Sequence, residues 1–432
     1  MEVGYLAILG VLLGAMAATI PVFLALIITG VVGFALFTSV PLIFVVQAIF
    51  RAMDNFALIV VLFFILCGNV MTAGSIVTKL IRLANVTVGW LPGGLAMAGV
   101  MACAMFGAIS GSTVATVVAI GGFMIPALID NRYTERFTLG VMTTAPNLGV
   151  IIPPSITMIL YSMVSACSLE GLFLTGFLPG LSITAAMCVY CYLWAKRNPG
   201  FKTMPFPTFK EFWAAFKDGF WSLMLPVVIF AGIFSGAFTA NEAAVVACVY
   251  AFIVELFIHK TMQFGQVKKV MVNSAVTSAT LLIIVAGATV FGKYLTIENI
   301  PTKLSELIVG SISQPWVFML IMQFWLLAVG MFMDCISATL ILTPIFLPML
   351  EKYDINLVHF GLLMTVNLAI GYCTPPLGVS LYITWAMRNK DLIFVSKAVM
   401  PTVLIQIGVL FVYAYWPAAV LWLPRTLGWS VD

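Results

Sequence analysis

Asn147-Leu148-Gly149-Val150-Ile151-Ile152-Pro153-Pro154-Ser155 interrupts an apolar stretch. A second interruption runs from Asn367 to Gly371 and on through Tyr372-Cys373-Thr374-Pro375-Pro376-Leu377-Gly378, with Gly149 and Pro153-Pro154 falling on Gly371 and Pro375-Pro376 at an offset of 222 residues. Proline removes a backbone donor and clashes with the preceding turn, so paired prolines unwind a helix. Unwound backbone at membrane depth persists only where it is buried in protein or lines a cavity. One such break alone reads first as a proline kink with small residues for helix packing. Two at one offset, each with a companion break earlier in its half, favour paired functional elements.

The companion breaks are Gly107-Ala108-Ile109-Ser110-Gly111-Ser112-Thr113, within an apolar stretch from about 92 to 129, and Gly330-Met331-Phe332-Met333-Asp334-Cys335-Ile336-Ser337-Ala338-Thr339, within about 317–350. The first stretch is long for one helix and ends with charge on the side where it began. Both are expected to be re-entrant hairpins, the first with its tip at Ser110–Thr113. The same shift of 222 brings Pro126 onto Pro348, Leu128 onto Leu350, Met142-Thr143 onto Met364-Thr365 and Pro179 onto Pro401. Earlier the shift is 224, so Gly68 meets Gly292, Thr72 meets Thr296 and Thr78-Lys79-Leu80 meets Thr302-Lys303-Leu304. This self-similarity reads as an internal duplication.

Basic residues set the sidedness. Lys196, Arg197, Lys202, Lys210 and Lys217 fill a linker between the halves, and His259, Lys260, Lys268 and Lys269 form a second basic loop. The run between them, about Trp221 to Ile258, holds two helices with a break at Ser235–Thr239, so both loops are expected on the cytoplasmic side. Counting helices outward puts Lys79, Asp130–Arg136, Arg388 and Lys390 inside. Glu170, Lys293, Lys303 and Lys352 fall outside. Lys79 and its repeat partner Lys303 thus lie on opposite sides, and halves of opposite topology are the architecture of many secondary transporters. Freed carbonyls suit Na+, and half-helix N-termini suit an anion.

Composition agrees. Of 432 residues 62% are apolar and 8% charged, against about 25% charged in soluble domains, and the mean hydropathy is +1.14. Apolar runs long enough for spanning helices recur throughout, without the ten-residue alternation of a barrel. The net charge of +4 comes with no basic block of the kind that marks nucleic-acid binding. The N-terminal apolar run, to about residue 37, is too long for a signal-peptide core and is read as retained helix. Cys188 and Cys191 form a CxxC inside an apolar helix and read as small packed residues. His259 and His359 sit near membrane edges, and no acid–base, nucleophile or metal set is visible, so an enzyme is not expected. Lys79 to Trp90 is amphipathic and reads as an arm along the membrane, and Trp316, Trp325, Trp416 and Trp422 read as interface anchors. Arg51 and Asp54 are close enough in sequence to pair. Glu242 caps the following helix or couples moving parts. Asp334, a carboxylate in a membrane hairpin, is functional by default or caps its half-helix.

Gly107–Thr113, Gly149–Ser155, Gly232-Ile-Phe-Ser-Gly-Ala-Phe-Thr-Ala-Asn-Glu-Ala-Ala244 and Gly371–Gly378 closely resemble the DctM-type large membrane subunit of tripartite ATP-independent periplasmic (TRAP) transporters, over essentially the whole chain. The resemblance implies an all-α polytopic protein of the ion-transporter superfamily in the bacterial inner membrane. It would have about 11 transmembrane helices plus two re-entrant hairpins in two inverted repeats, working as an elevator with scaffold and transport domains. The segments would be 1–54 (N-terminal scaffold helices), 55–200 (repeat 1 with arm and hairpin), 201–270 (cytoplasmic linker and central scaffold helices) and 271–432 (repeat 2). Matched to the family, one Na+ site would involve Ser110, Ser112, Asn147 and Gly149. The other would involve Gly330, Asp334, Thr374 and Pro375, with substrate near Ser155, Thr157 and Ser337. No cofactor is implied beyond Na+ as coupling ion. Expected partners are a small four-helix membrane subunit on a separate polypeptide and a periplasmic solute-binding protein. The cargo would be a small organic anion such as a dicarboxylate, sialic acid, keto acid or sulfonate. The alternative is a binding-protein-independent Na+/anion symporter of the same superfamily.

Overall fold

A computed structural model describes residues 2–18, 20–198, 200, 204–375, 378–388 and 391–431. Lys202, Pro376, Leu377 and Lys390, used in the charge and repeat arguments, lie outside the described residues. The first half contains α1 (Glu2–Ala17), α2 (Val22–Phe37), α3 (Ile43–Met53), α4 (Ala57–Ala73), α5 (Ile76–Val88), α6 (Gly94–Ser110), α7 (Thr113–Asp130), α8 (Glu135–Ile151), α9 (Ile156–Ser165) and α10 (Leu169–Arg197). The second contains α11 (Phe209–Phe234), α12 (Ala240–Ile258), α13 (Phe264–Ile297), α14 (Ile300–Ser311), α15 (Pro315–Phe332), α16 (Cys335–Lys352), α17 (Leu357–Gly371), α18 (Val379–Arg388), α19 (Leu392–Ala414) and α20 (Pro417–Thr426).

Both hairpins form where the polar breaks fall. At the first tip Gly111 takes a left-handed conformation, φ +60°, which turns the chain between α6 and α7. At the second tip Met333 and Asp334 are extended instead. The duplication is visible in the packing: α4 lies on α12, α13 on α2, and α4 on α13. The repeats are not identical, since α3 and α4 meet at 55° while the matching α13 is continuous over 34 residues. The arms occupy opposite ends of this helix group. α5 meets the start of α11 through Lys79–Asp218, whereas α14 follows the far end of α13.

Among the described residues, eight helices are long and apolar enough to cross a membrane, or ten with the two bent pairs counted. Three of the eight are hairpin arms, α7, α15 and α16, so length alone does not separate spans from hairpins. Leu36, Val276, Leu404 and Val412 are exposed, as lipid-facing positions of an apolar chain are. The segment 235–239 is a turn, closed by a capping box in which Thr239 and Glu242 satisfy each other's helix-end groups, so Glu242 does act as a cap. Arg51 and Asp54 do not pair: the ion pairs among the described residues join Lys79 and Arg82 to Asp218 and Arg388 to Glu135, and His259 Nδ1 lies 3.8 Å from the Glu255 carboxylate. Arg51 lies in the last turn of α3 and Asp54 is the residue that ends it.

Candidate functional site

The first hairpin tip is pressed onto the first break. A Cβ on Gly107 would lie 2.7 Å from the Gly149 Cα, and one on Gly149 would lie 2.6 Å from Thr116 Oγ1 and 2.8 Å from the Ser112 carbonyl. Ser110 is buried and its hydroxyl is 3.2 Å from that of Thr116, which donates to the Ser112 carbonyl at 2.8 Å. Ser112 caps α7, and the Ile156 amide donates to the Gly111 carbonyl across the tip. Backbone and hydroxyl oxygens are thus gathered at one point without a full charge.

The second half repeats the contact. A Cβ on Gly330 would lie 3.1 Å from the Gly371 Cα, and one on Gly371 would lie 2.6 Å from Gly330 backbone. Asp334 stands 222 residues after Ser112 and does the same job, accepting from the Ser337 amide at 2.8 Å as the cap of α16. The repeat therefore replaces a hydroxyl cap by a carboxylate. Tyr372, inside the second break, accepts on its hydroxyl from the Cys335 amide at 2.8 Å and ties break to tip.

The two halves then cross. α9, which follows the first break, packs along α16 of the second hairpin, and α18, which follows the second break, packs on α7 of the first. α9 and α16 run in the same direction, since Met163 and Val164 line the same cavity as Pro344 and Pro348. α7 and α18 do likewise, because the Arg388 end of α18 pairs with Glu135 just past α7. The N-termini of four half-helices, at Thr113, Ser155, Cys335 and Val379, are consequently brought into the interior. Each carries a partial positive charge, and each presents free or capped N–H groups. Among the described residues, the buried hydroxyls of Thr113, Ser337 and Thr339 have no hydrogen-bond partner, which is costly in a fully apolar setting.

A family model described as "Tripartite ATP-independent periplasmic transporter, DctM component" matches residues 9–419. The chain belongs to the DctM family. It is 36% identical to the C4-dicarboxylate TRAP transporter large permease protein DctM of Rhodobacter capsulatus, covering 98% of this chain and 99% of that protein. It is 37% identical to the isethionate TRAP transporter permease protein DctMQ of Oleidesulfovibrio alaskensis, covering 88% of this chain and 60% of that longer protein. It is 32% identical to the sialic acid TRAP transporter large permease protein SiaM of Vibrio cholerae, covering 96% of each. Among solved structures it resembles the YdaH transporter of Alcanivorax borkumensis, with a TM-score of 0.62, 13% identity and coverage of 89% and 90%. MtrF of Neisseria gonorrhoeae gives a TM-score of 0.57. At these identities the likeness speaks for the fold alone.

In this DctM-family chain the sequence-predicted site residues fall as follows. Ser110, Ser112 and Gly149 meet at the first tip. The Asn147 side chain does not join them: its Nδ2 donates to Gln406 Oε1 at 2.8 Å and its Oδ1 faces Cys373 Sγ at 3.3 Å. Gln406 returns a bond to the Thr144 carbonyl, so Asn147 stitches α8 to α19. Gly330 meets the second break at Gly371. Thr374 donates to its own helix at Ile370, and Pro375 is half-buried beside it. Ser155 caps α9, Thr157 is buried one residue inside that helix, and Ser337 is buried at the start of α16. Thr116, Gly371 and Tyr372 belong to the site and were not among the predicted residues. The signal for Gly371 was present, since it is the repeat image of Gly149.

Proposed function

We propose that the chain is the moving, ion-coupled large subunit of a TRAP transporter that imports a small organic anion into the cell down a Na+ gradient. The observation that carries the reading is the crossed pair of hairpins and breaks, which aims four half-helix N-termini at one interior region flanked by two oxygen-rich tips. An anion is held by fixed dipoles and N–H donors there without a buried basic side chain. Na+ fits the tips, where carbonyl and hydroxyl oxygens of Ser110, Ser112 and Gly149, and of Gly330, Asp334 and the 372–375 backbone, face a tight glycine contact. Binding of the cation on either side lowers the cost of placing an anion between them, which is the coupling. The named relatives carry C4-dicarboxylates, isethionate and sialic acid, all anions, and this supports the same class of cargo here. In this reading the frame is α1–α4 and α11–α13, the arms are α5 and α14, and the hairpins, breaks and α10 and α19 move as one body. A small membrane subunit and a periplasmic binding protein complete the transporter.

The test is uptake in liposomes holding the chain and its small subunit, with loaded binding protein outside. Uptake is expected to require both the binding protein and an inward Na+ gradient. Equal uptake with choline in place of Na+, at matched membrane potential and without a pH gradient, rules out Na+ coupling. Uptake of free substrate without the binding protein would turn the reading toward a stand-alone symporter.

A further inference from the structure

A cavity of about 700 Å³ lies away from the tips, between α3, α13 and α14 on one side and α9 and α16 on the other. Its volume is that of a small-molecule site, about 300–1,000 Å³. Its walls differ in character. Arg51 and Lys293 project from α3 and α13, with the amides of Gln47 and Asn55 and the hydroxyls of Thr289 and Thr296 between them. The facing wall is Leu340, Pro344 and Pro348 of α16. No acidic side chain is among the lining residues, and the nearest acids in sequence, Asp54 and Glu298, are not part of it. Among the described residues neither Arg51 nor Lys293 has an ion-pair or hydrogen-bond partner.

Two unmatched cations in one concavity need a reason. They stand at the end of α13 away from the basic linker, the end that carries few cations if orientation alone decides. A recess with low-dielectric walls and one sign of charge concentrates counter-ions. Its wall on α16 at Leu340 lies three residues along the helix from Ser337 and next in sequence to Thr339, whose buried hydroxyl has no partner among the described residues. We propose that this cavity is a second, receiving site for the carboxylate or sulfonate of the cargo, held by Arg51 and Lys293 on the outward face before the anion reaches the hairpin tips. The proposal rests on the transporter reading for its sidedness and cargo class, and it assigns a role to two residues outside that site.

The test reads the cavity itself rather than transport. Thr296→Cys, or Gln47→Cys on α3 of the same wall, is introduced into the full chain in right-side-out and inside-out membrane vesicles. Labelling is compared for an anionic sulfonate thiosulfonate reagent and its cationic trimethylammonium counterpart. The native cysteines set the background in the chain without the new cysteine. The anionic reagent is expected to react faster, and only from the outer face. A unit charge roughly 8 Å away in water-like dielectric changes the local concentration of each reagent about twofold, in opposite directions. Arg51→Gln and Lys293→Gln should therefore each lower the rate ratio about fourfold. Millimolar succinate or isethionate should slow labelling in the parent and not in the double variant. A ratio indifferent to both substitutions, no slowing by either anion, or labelling only from inside-out vesicles overturns the proposal. If Arg51→Gln does not reach the membrane, Lys293→Gln carries the same comparison. Because no Na+ gradient is present and no uptake is measured, the outcome is independent of whether the tips hold Na+.

Discussion

Gly149 and Gly371 hold the hairpins against the breaks, Gly371 on bare backbone and Gly149 on a backbone carbonyl and a threonine hydroxyl. A methyl group on Gly371 has no flexible side chain to push aside, only the Gly330 main chain. A methyl on Gly149 meets the Ser112 carbonyl and Thr116. Gly371→Ala and Gly149→Ala are therefore expected to destabilise the protein by about 1–3 kcal/mol through overpacking. Both should impair Na+-driven uptake more than a matched substitution at Gly10 or Gly408, where a Cβ meets nothing within 4 Å. Thermal unfolding in detergent beside uptake checks this. Asp334 tests a different point, because its cap and its charge can be separated. Asp334→Asn keeps a capping side chain and removes the charge, whereas Asp334→Ala also removes the cap, at about 0.5–2 kcal/mol. If the carboxylate serves Na+, the Asn variant should fold normally and need more Na+ for half-maximal uptake, with Ser110→Ala showing a smaller rise in the same titration. Wild-type Na+ dependence in Asp334→Asn and in Ser110→Ala would reduce both residues to structural roles.

The arm α5 is fastened at its start by a carboxylate from another element. Glu255, fully buried near the end of α12, accepts from the Ser75 and Ile76 amides, each at 2.8 Å, and from the hydroxyls of Ser75 and Thr261. Gly74 has no side chain because the carboxylate occupies that space. Burial and the charge of Lys79 hold the neighbouring His259 below the usual imidazole range, so Glu255 is satisfied by helix-end N–H groups rather than by a full positive charge. Glu255→Ala is expected to cost about 1.5–3 kcal/mol, since it strips a charged acceptor from two buried donors. Asp218→Asn should cost about 0–1 kcal/mol, because the pair with Lys79 and Arg82 is partly exposed. Unfolding midpoints in the reverse order would sink this account of the arm. None of the clamp was legible in the sequence, where Ser75 and Glu255 are 180 residues apart. The same holds for the partner of the Asn147 side chain, Gln406, which lies 259 residues away. The breaks themselves were legible, because proline pairs, left-handed glycine and capping Ser or Asp act locally. Which side chains face one another across the crossed halves is decided by packing between distant segments, and periodicity carries no trace of it.

Symmetry of sequence is broken in the assembled molecule, and the way it is broken yields a distance. Gly68 and Gly292 are repeat images, yet they face different parts of their hairpins. A Cβ on Gly68 would lie 3.6 Å from Ser110 at the first tip, whereas one on Gly292 would lie 4.0 Å from Pro344, well along α16. At the offset of 222, Ser110 corresponds to Phe332 and Pro344 to Gly122. If the two halves exchange these relationships during transport, Gly292 comes to face Phe332 and Gly68 comes to face Gly122. The slide from Pro344 back along α16 to its start at Cys335, beside the tip, is nine residues and amounts to about 14 Å at 1.5 Å per helical residue. Gly122 is exposed, with nothing within 4 Å of its Cβ position, as a surface that must slide past α4 requires. Two cysteine pairs read this out in a background cleared of native cysteines. Gly292→Cys with Pro344→Cys should cross-link in the arrangement described here and stop uptake until the bond is reduced. Gly68→Cys with Gly122→Cys is remote in this arrangement and should cross-link only in vesicles competent for transport, again halting uptake reversibly. If the first pair closes without affecting uptake, or the second never closes while uptake proceeds, a rigid-body exchange of this size is excluded and the hairpins must gate in place.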